Sequence, residues 1–272
     1  MSTTSPTLPG QCVLLHGPDA LSFAQAQFSN DVQALAIGQW QFSAWLDAQG
    51  RVRALFHLLR TEEHQLLLIL RGGCADDLIE PLRRFVFRAK LSIEALPARC
   101  LIDAPALPLY SWQRVDGAIL VGCDDHSMCL GISSSDSHVE QTWRGRQIAR
   151  RWPWLPDAAL SNLLPPALSL EQLPAIAFDK GCYPGQEIVA RLHYRGGHKR
   201  HLHRAQVHGD VPAGSMVHEN TREVGQLLDV YNDQGAEVGE TLLVLSDDAI
   251  DAFRSGALTS DDGTRLAPVD SP

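Results

Sequence analysis

Between Val13 and Ile93 strand-like and helix-like periodicities alternate in an order that suits a mixed α+β fold. Val13 to His16 reads as a short strand, Gly17-Pro18-Asp19 punctuates it, and a helix is predicted from Ala20 to about Leu35, with Leu21, Phe23, Ala24 and Phe28 on one face. Trp40, Phe42, Ala44 and Leu46 then alternate with polar or smaller partners. Gln49-Gly50 makes a turn, and Val52 to Leu59 and Gln65 to Leu70 supply two more strands of an antiparallel meander. A helix from about Ala75 to Ala89 and a strand near Leu91 to Ile93 complete a unit in which helices pack on a sheet.

Beyond that unit Pro97, Pro105 and Pro108 predict a loop region, a sub-boundary near residues 95–117, and a strand from Ala118 to Val121 opening a second, smaller layer. Gly131 to His138 reads as a low-complexity loop and Val139 to Arg151 as a helix, followed by a proline-rich passage. After Arg204 short β-like runs separated by glycines predict a small C-terminal β-barrel over 205–260. The acidic, proline-containing end, 261–272, is expected to be disordered.

Composition excludes several classes. The 272 residues hold six cysteines (Cys12, Cys74, Cys100, Cys123, Cys129, Cys182) with no C-x-x-C pair, against a zinc ribbon, a thioredoxin motif or a disulfide scaffold. No apolar run approaches the roughly 18 residues of a membrane span. Met1 to Gln11 has no apolar core of a secretory signal, so a cytoplasmic protein is expected. The net charge of −9 argues against a protein that coats nucleic acid with its whole surface, yet Lys180 to Arg204 holds six basic residues and one acid, a local +5. An anion is expected to dock there.

That window opens on Lys180-Gly181-Cys182-Tyr183-Pro184-Gly185-Gln186-Glu187. Pro184-Gly185 marks a turn, and good helix formers place a helix start near Gln186, with Cys182 just outside it. The helix dipole, free backbone N–H groups and Lys180 all favour a thiolate there. Local chemistry alone leaves a buried structural thiol equally open. His193, His198, His201, His203 and His208 crowd the region, but no second cysteine lies at ligand spacing, so a solvated loop rather than a metal site is expected. Asn30 and Asp31 suit termination of the first helix by side-chain hydrogen bonds.

The octapeptide, with Arg191, Tyr194-Arg195-Gly196 and Lys199-Arg200, resembles the signature of YgfZ-type folate-binding proteins, the cysteine-bearing branch of the aminomethyltransferase (glycine cleavage T-protein) superfamily. Leu164-Pro165-Pro166, Leu170 and Phe178 are similar to the stretch before that signature. Gly17-Pro18-Asp19-Ala20, Gln27 to Val32 and Leu46 to Arg51 match its opening pattern. The resemblance implies a ring of ferredoxin-like α+β modules around a folate channel, occupying 1–204, with the small C-terminal β-barrel after it. It also implies a monomer that binds tetrahydrofolate and assists iron–sulfur cluster assembly in client enzymes, touching tRNA modification indirectly.

By the same resemblance Cys182 is the essential thiol with Lys180 beside it. Trp143 is a platform for the pterin ring. Asn30, Asp31, Tyr183, Gly185, Gln186, Glu187, Arg191 and Arg195 line or face the folate. Two departures stand out. Aminomethyltransferases carry a carboxylate pair after the turn at Gly50, where this chain has Ala54 and Leu55 preceded by Arg53, and a second folate-contacting tryptophan near Gly10 is absent. The accessory role is therefore preferred over the alternative, a folate-dependent aminomethyltransferase or demethylase acting on a small amine.

Overall fold

A computed structural model of the chain describes residues 9–131, 142–232 and 236–269. The first strands form as the periodicity predicts: β1 (Pro9–His16), β2 (Trp40–Leu46), β3 (Val52–Glu62) and β4 (Gln65–Leu70). The unbroken apolar run of β4 follows from burial on both faces. Leu66, Leu68 and Leu70 join Val13, Leu15 and Phe56 in one core, while Leu67 and Ile69 join Cys12, Leu55 and Leu59 in another. A strand puts successive side chains on opposite faces, so a sheet covered on both sides demands apolar residues of both parities.

The helices α1 (Ala20–Gln27) and α2 (Ala75–Arg83) cover the first of these faces. Both are shorter than predicted. α1 stops because Phe28 turns extended and bridges Trp45, after which Ser29 and Asn30 hydrogen-bond into β2. Asp31 accepts from the backbone N–H of Gln33 and from Gln25, the side-chain competition that ends helices. α2 gives way to tight turns at Arg84 and Phe85.

The loop expected at Pro97 is instead part of the 13-residue strand β5 (Ser92–Ala104). Cys12 pairs with Leu96 and Gly10 with Arg99, so β5 spends an extra residue around Pro97. A bulge is where a strand tolerates a residue without an N–H. β5 then pairs with β8 (Ser127–Leu130), followed by β7 (Ala118–Gly122) and β6 (Trp112–Val115). The expected second layer therefore extends the first sheet, which runs β2-β3-β4-β1-β5-β8-β7-β6, antiparallel throughout.

Helix α3 (Thr142–Ala149) and the passage after it close the second face. The predicted loop beyond Gly131 and the first residues of the predicted helix, 132–141, lie outside the described residues, as do 1–8 and 270–272. Helix α4 (Gln186–Arg195) leads into a six-stranded antiparallel sheet of order β13-β10-β11-β12-β9-β14. Its strands are β9 (Arg200–His208), β10 (Met216–Glu219), β11 (Arg222–Tyr231), β12 (Val238–Ser246), β13 (Leu258–Ser260) and β14 (Leu266–Pro268), with α5 (Ile250–Arg254) between β12 and β13.

A bridge between Thr259 and Arg265 brings the two edges together, so the barrel is nearly closed around Val207, Val217, Leu227, Leu243 and Phe253. It begins at Arg200, ahead of the expected boundary. The expected disorder of 261–272 is overturned for Leu266–Pro268, which pairs with β9 and buries Leu266. Closure of a barrel edge rewards a strand too short to announce itself.

Candidate functional site

The octapeptide is held against the β2–β3 hairpin by two glycines. In the hairpin turn Asp47 accepts hydrogen bonds from the backbone N–H groups of Gln49 (2.9 Å) and Arg51 (2.8 Å), and Gly50 takes φ +77°. Gly185, also at φ +77°, is the N-cap of α4. A Cβ on Gly185 would stand 2.5 Å from the Asp47 carbonyl oxygen and 2.7 Å from the Gly50 Cα, and one on Gly50 would stand 3.0 Å from Ile188. Only glycine permits both the left-handed backbone and this approach.

Around that clamp the expected residues divide. Cys182 is exposed just ahead of α4, as predicted, so it is not the buried thiol of the rival reading. Tyr183 is buried in the main core, its hydroxyl has no hydrogen-bond partner among the described residues, and burial, reinforced by Glu171, pushes its pKa up to about 12. Lys180 Nζ donates to the carbonyl oxygens of Phe28 and Asn30, the latter at 2.9 Å, and lies 5.1 Å over the Tyr183 ring. Burial lowers its pKa to about 8, with Asp31 pulling the other way.

The ammonium of Lys180 ties the end of α1 to the octapeptide, and no hydrogen bond joins it to Cys182 among the described residues. Asn30 completes that tie by donating to the carbonyls of Phe42 and Pro174, each at 2.8 Å. Gln186 opens α4. Glu187, Arg191 and Arg195, spaced four apart, lie exposed along one side of it.

Trp143 is 1% exposed, sits in the main core and meets Trp154 at 5.8 Å between ring centroids, and its indole N–H has no hydrogen-bond partner among the described residues. The histidines form no single cluster, although His198 and His201 meet edge-on at 5.4 Å. His193 stacks on Phe178 at 4.1 Å and bonds Glu171, whereas His201 pairs with Asp247. Among the described residues no group of three or more His, Cys, Asp or Glu is placed to hold a metal ion.

Space for a ligand opens elsewhere. A cavity of about 620 Å³ lies between the large sheet and the barrel, with Trp154, Arg144 and Asp210 in its walls. It shares Leu70, Gly72, Gly73, Cys74 and Asp157 with a second cavity of about 250 Å³ lined by Trp45, Arg53 and Ala54. The hairpin that carries Trp45 and Ala54 is the one whose turn supports Gly185. Ala54 thus stands in a cavity wall where the resemblance placed a carboxylate, while Leu55 points into the opposite core.

Arg71, between the lining residues Leu70 and Gly72, and the lining residues Arg144 and Asp229 carry no mark in the sequence. Arg71, fully buried, donates to the carbonyls of Pro153 and Trp152 and to Gln147 Oε1, and burial lowers its pKa to about 10. Arg144 and Asp229 form a buried ion pair at 2.7 Å that joins α3 to β11. A glycine pair before Cys74 was the sole signal in the sequence for this region. The approach at Gly72, where a Cβ would stand 1.8 Å from the Leu155 carbonyl oxygen, accounts for one of the two.

This architecture, an extended antiparallel sheet with a nearly closed barrel, is the fold of a glycine cleavage T-protein. The crystal structure of glycine cleavage system aminomethyltransferase T from Bartonella henselae matches 96% of this chain and 82% of that one with a TM-score of 0.66 at 17% identity. By sequence the chain is a homologue of proteins named tRNA-modifying protein YgfZ. It is 26% identical over 248 residues to the one from Vibrio atlanticus (80% of this chain, 76% of that one) and 30% identical over 219 residues to the one from Edwardsiella ictaluri (68% and 65%). An uncharacterized protein of Haemophilus influenzae is 26% identical over 247 residues, 83% of each chain. No family model matches the chain.

Proposed function

We propose that this protein is a folate-binding accessory protein in tRNA modification, acting on iron–sulfur enzymes through the thiol of Cys182. The observation that carries the reading is the clamp of Gly185 on Gly50, which holds an exposed cysteine at a helix start on the hairpin that also walls a cavity. An exposed thiol on an ordered turn is available to a partner, as a buried one is not. The names of the YgfZ homologues supply the tRNA-modification setting. A ring of modules around a folate channel and a cytoplasmic monomer belong to the same reading. No helix among the described residues is long and apolar enough to cross a membrane.

The residues fit a tetrahydrofolate at the cavity between sheet and barrel. Its volume of about 620 Å³ lies within the roughly 300–1,000 Å³ usual for small-ligand sites. Trp154 offers the aromatic wall expected of Trp143, and the Arg144–Asp229 pair adds a neutral polar edge. Bound there, the folate supplies a one-carbon carrier. The chain's own residues bind and orient it. The rival reading, transfer from a small amine, requires a group that stabilises a developing cation. In the wall of the smaller cavity Ala54 stands where the resemblance places a carboxylate, next to Arg53, whose guanidinium repels such a charge, and the carboxylates of that wall, Asp77 and Asp157, come from other segments.

Two measurements test the proposal. Tetrahydrofolate titrated against tryptophan fluorescence binds the parent protein and binds Trp154→Phe more weakly, with Trp143→Phe close to the parent. No saturable binding to the parent would remove the folate. In cells lacking the native protein, Cys182→Ala fails to restore iron–sulfur enzyme activity while Cys74→Ala restores it, and full rescue by Cys182→Ala would remove the thiol.

A further inference from the structure

Residues 83–90 read Arg-Arg-Phe-Val-Phe-Arg-Ala-Lys, four cations and no carboxylate in a chain of net charge −9. α2 ends at Arg83, and successive turns hold residues 84–90 in place. Phe85 N–H donates to the Leu82 carbonyl (3.1 Å), Val86 N–H to that of Arg83 (3.0 Å), and Lys90 N–H to the Asp19 carboxylate (2.7 Å). Val86 packs against the core beneath the helices, so the residues on either side of it turn outward, and Phe85 and Phe87 are 49% and 84% exposed. Trp45 braces Phe85 edge-on at 6.2 Å, and the Arg88 guanidinium lies 5.2 Å over the Phe87 ring.

Large exposed rings on an ordered backbone call for a partner with flat apolar faces and negative charge. A lipid surface or a protein groove takes a contiguous apolar patch. Here the inward Val86 separates the two rings and cations flank both. An unpaired nucleobase needs one ring face for stacking, and its phosphates need nearby arginine or lysine. Arg83 is engaged with the Ile93 carbonyl, but Arg84 pairs with Glu80 in a solvent-exposed contact at 3.5 Å that a phosphate can displace.

We propose that Phe85 to Lys90 binds an unpaired segment of nucleic acid, with Phe87 as the stacking platform and Arg84, Arg88 and Lys90 on the phosphates. The contact adjoins the smaller cavity, since Trp45 braces Phe85 and carries Arg53 over its ring at 4.6 Å, and both Trp45 and Arg53 line that cavity. It uses neither Cys182 nor the 620 Å³ cavity, so its failure and that of the folate reading are separate results.

The test is fluorescence anisotropy of the full chain with a labelled RNA hairpin bearing a mixed-sequence loop, its DNA counterpart, a blunt duplex of the stem, and phosphatidylserine vesicles. The hairpins bind more tightly than the duplex, and a preference for the RNA over the DNA loop identifies the source. Phe87→Leu weakens hairpin binding by about ten-fold or more, and Phe87→Trp retains it. Arg88→Gln and Lys90→Gln together flatten the logarithmic salt dependence by about 1.4. These positions are exposed, and unchanged urea midpoints verify folding of each variant. Equal binding of duplex and hairpin, parent-like binding by Phe87→Leu, vesicle binding without hairpin binding, or no hairpin binding at low salt would each overturn the proposal.

Discussion

Gly50 and Gly185, far apart in the chain, approach so closely that a Cβ on the second would stand 2.7 Å from the Cα of the first. The contact joins the turn that follows β2 to the start of α4 and fixes where Cys182 is displayed. Both residues occupy the left-handed region, so side chains are disfavoured by conformation as well as by space.

Gly185→Ala is therefore expected to lower stability by at least the roughly 1–3 kcal/mol of a strained residue, because the Asp47 carbonyl must also move. Gly181→Ala is the control, since nothing lies within 4 Å of its Cβ position. Urea midpoints of the two variants check the difference. Equal midpoints would mean that the clamp is loose in solution.

The cysteines make a second expectation. Cys74 and Cys182 are exposed, Cys100 is half-buried, and burial pushes the pKa of Cys12 and of Cys123 up to about 12. A thiol reagent at neutral pH modifies Cys74 and Cys182 first, and Cys12 and Cys123 only after denaturation, because the thiolate is the reactive form. The Cys74→Ser/Cys182→Ser double variant loses the fast phase. A fast phase that survives in it and in the same variant with Cys100→Ser would show that the core opens.

The strands β1 to β4 were legible because a two-residue period, or its absence in a doubly covered sheet, is a local signal. Helix ends were less so. Phe28 looks like one more helical residue until it is seen bridging Trp45. Pro97 reads as a loop because the bulge that admits it depends on the partner strand. The octapeptide and its helix start were visible in the turn chemistry of Pro184-Gly185. The reason for Gly185 was not, since it lies in a contact with Gly50. Trp143 and Trp154 are one residue type in neighbouring segments, and packing decides which of them faces a cavity.

Lys180 gives a pH dependence of known sign. Its pKa falls from an ordinary 10.5 to about 8 in the folded chain, through burial that Asp31 only partly offsets. Between those values the unfolded chain holds the proton and the folded chain does not, so this residue's contribution to stability rises with pH across about 8 to 10.5 and is flat below. Lys180→Met removes the rise. The difference in urea midpoint between parent and variant, followed from pH 7 to 10.5, checks it. A difference that does not change over that range would mean an ordinary, solvated lysine.

The Arg144–Asp229 pair ties the large sheet's covering helix to the barrel, and both residues line the 620 Å³ cavity. Arg144 also donates to the Val230 carbonyl at 2.8 Å, so its charge is held by β11 from two sides. Removing one partner of such a buried pair leaves the other's charge in a low-dielectric site, which costs about 3–5 kcal/mol, whereas an apolar replacement of both is often nearly neutral. Asp229→Ala should fall within that range by urea unfolding, and Arg144→Met/Asp229→Leu should recover most of the loss. The two variants separate stability from binding. If the cavity holds folate, the stable double variant still loses affinity, because both polar side chains are gone from the wall. A double variant that folds and binds tetrahydrofolate like the parent would move the ligand away from this junction.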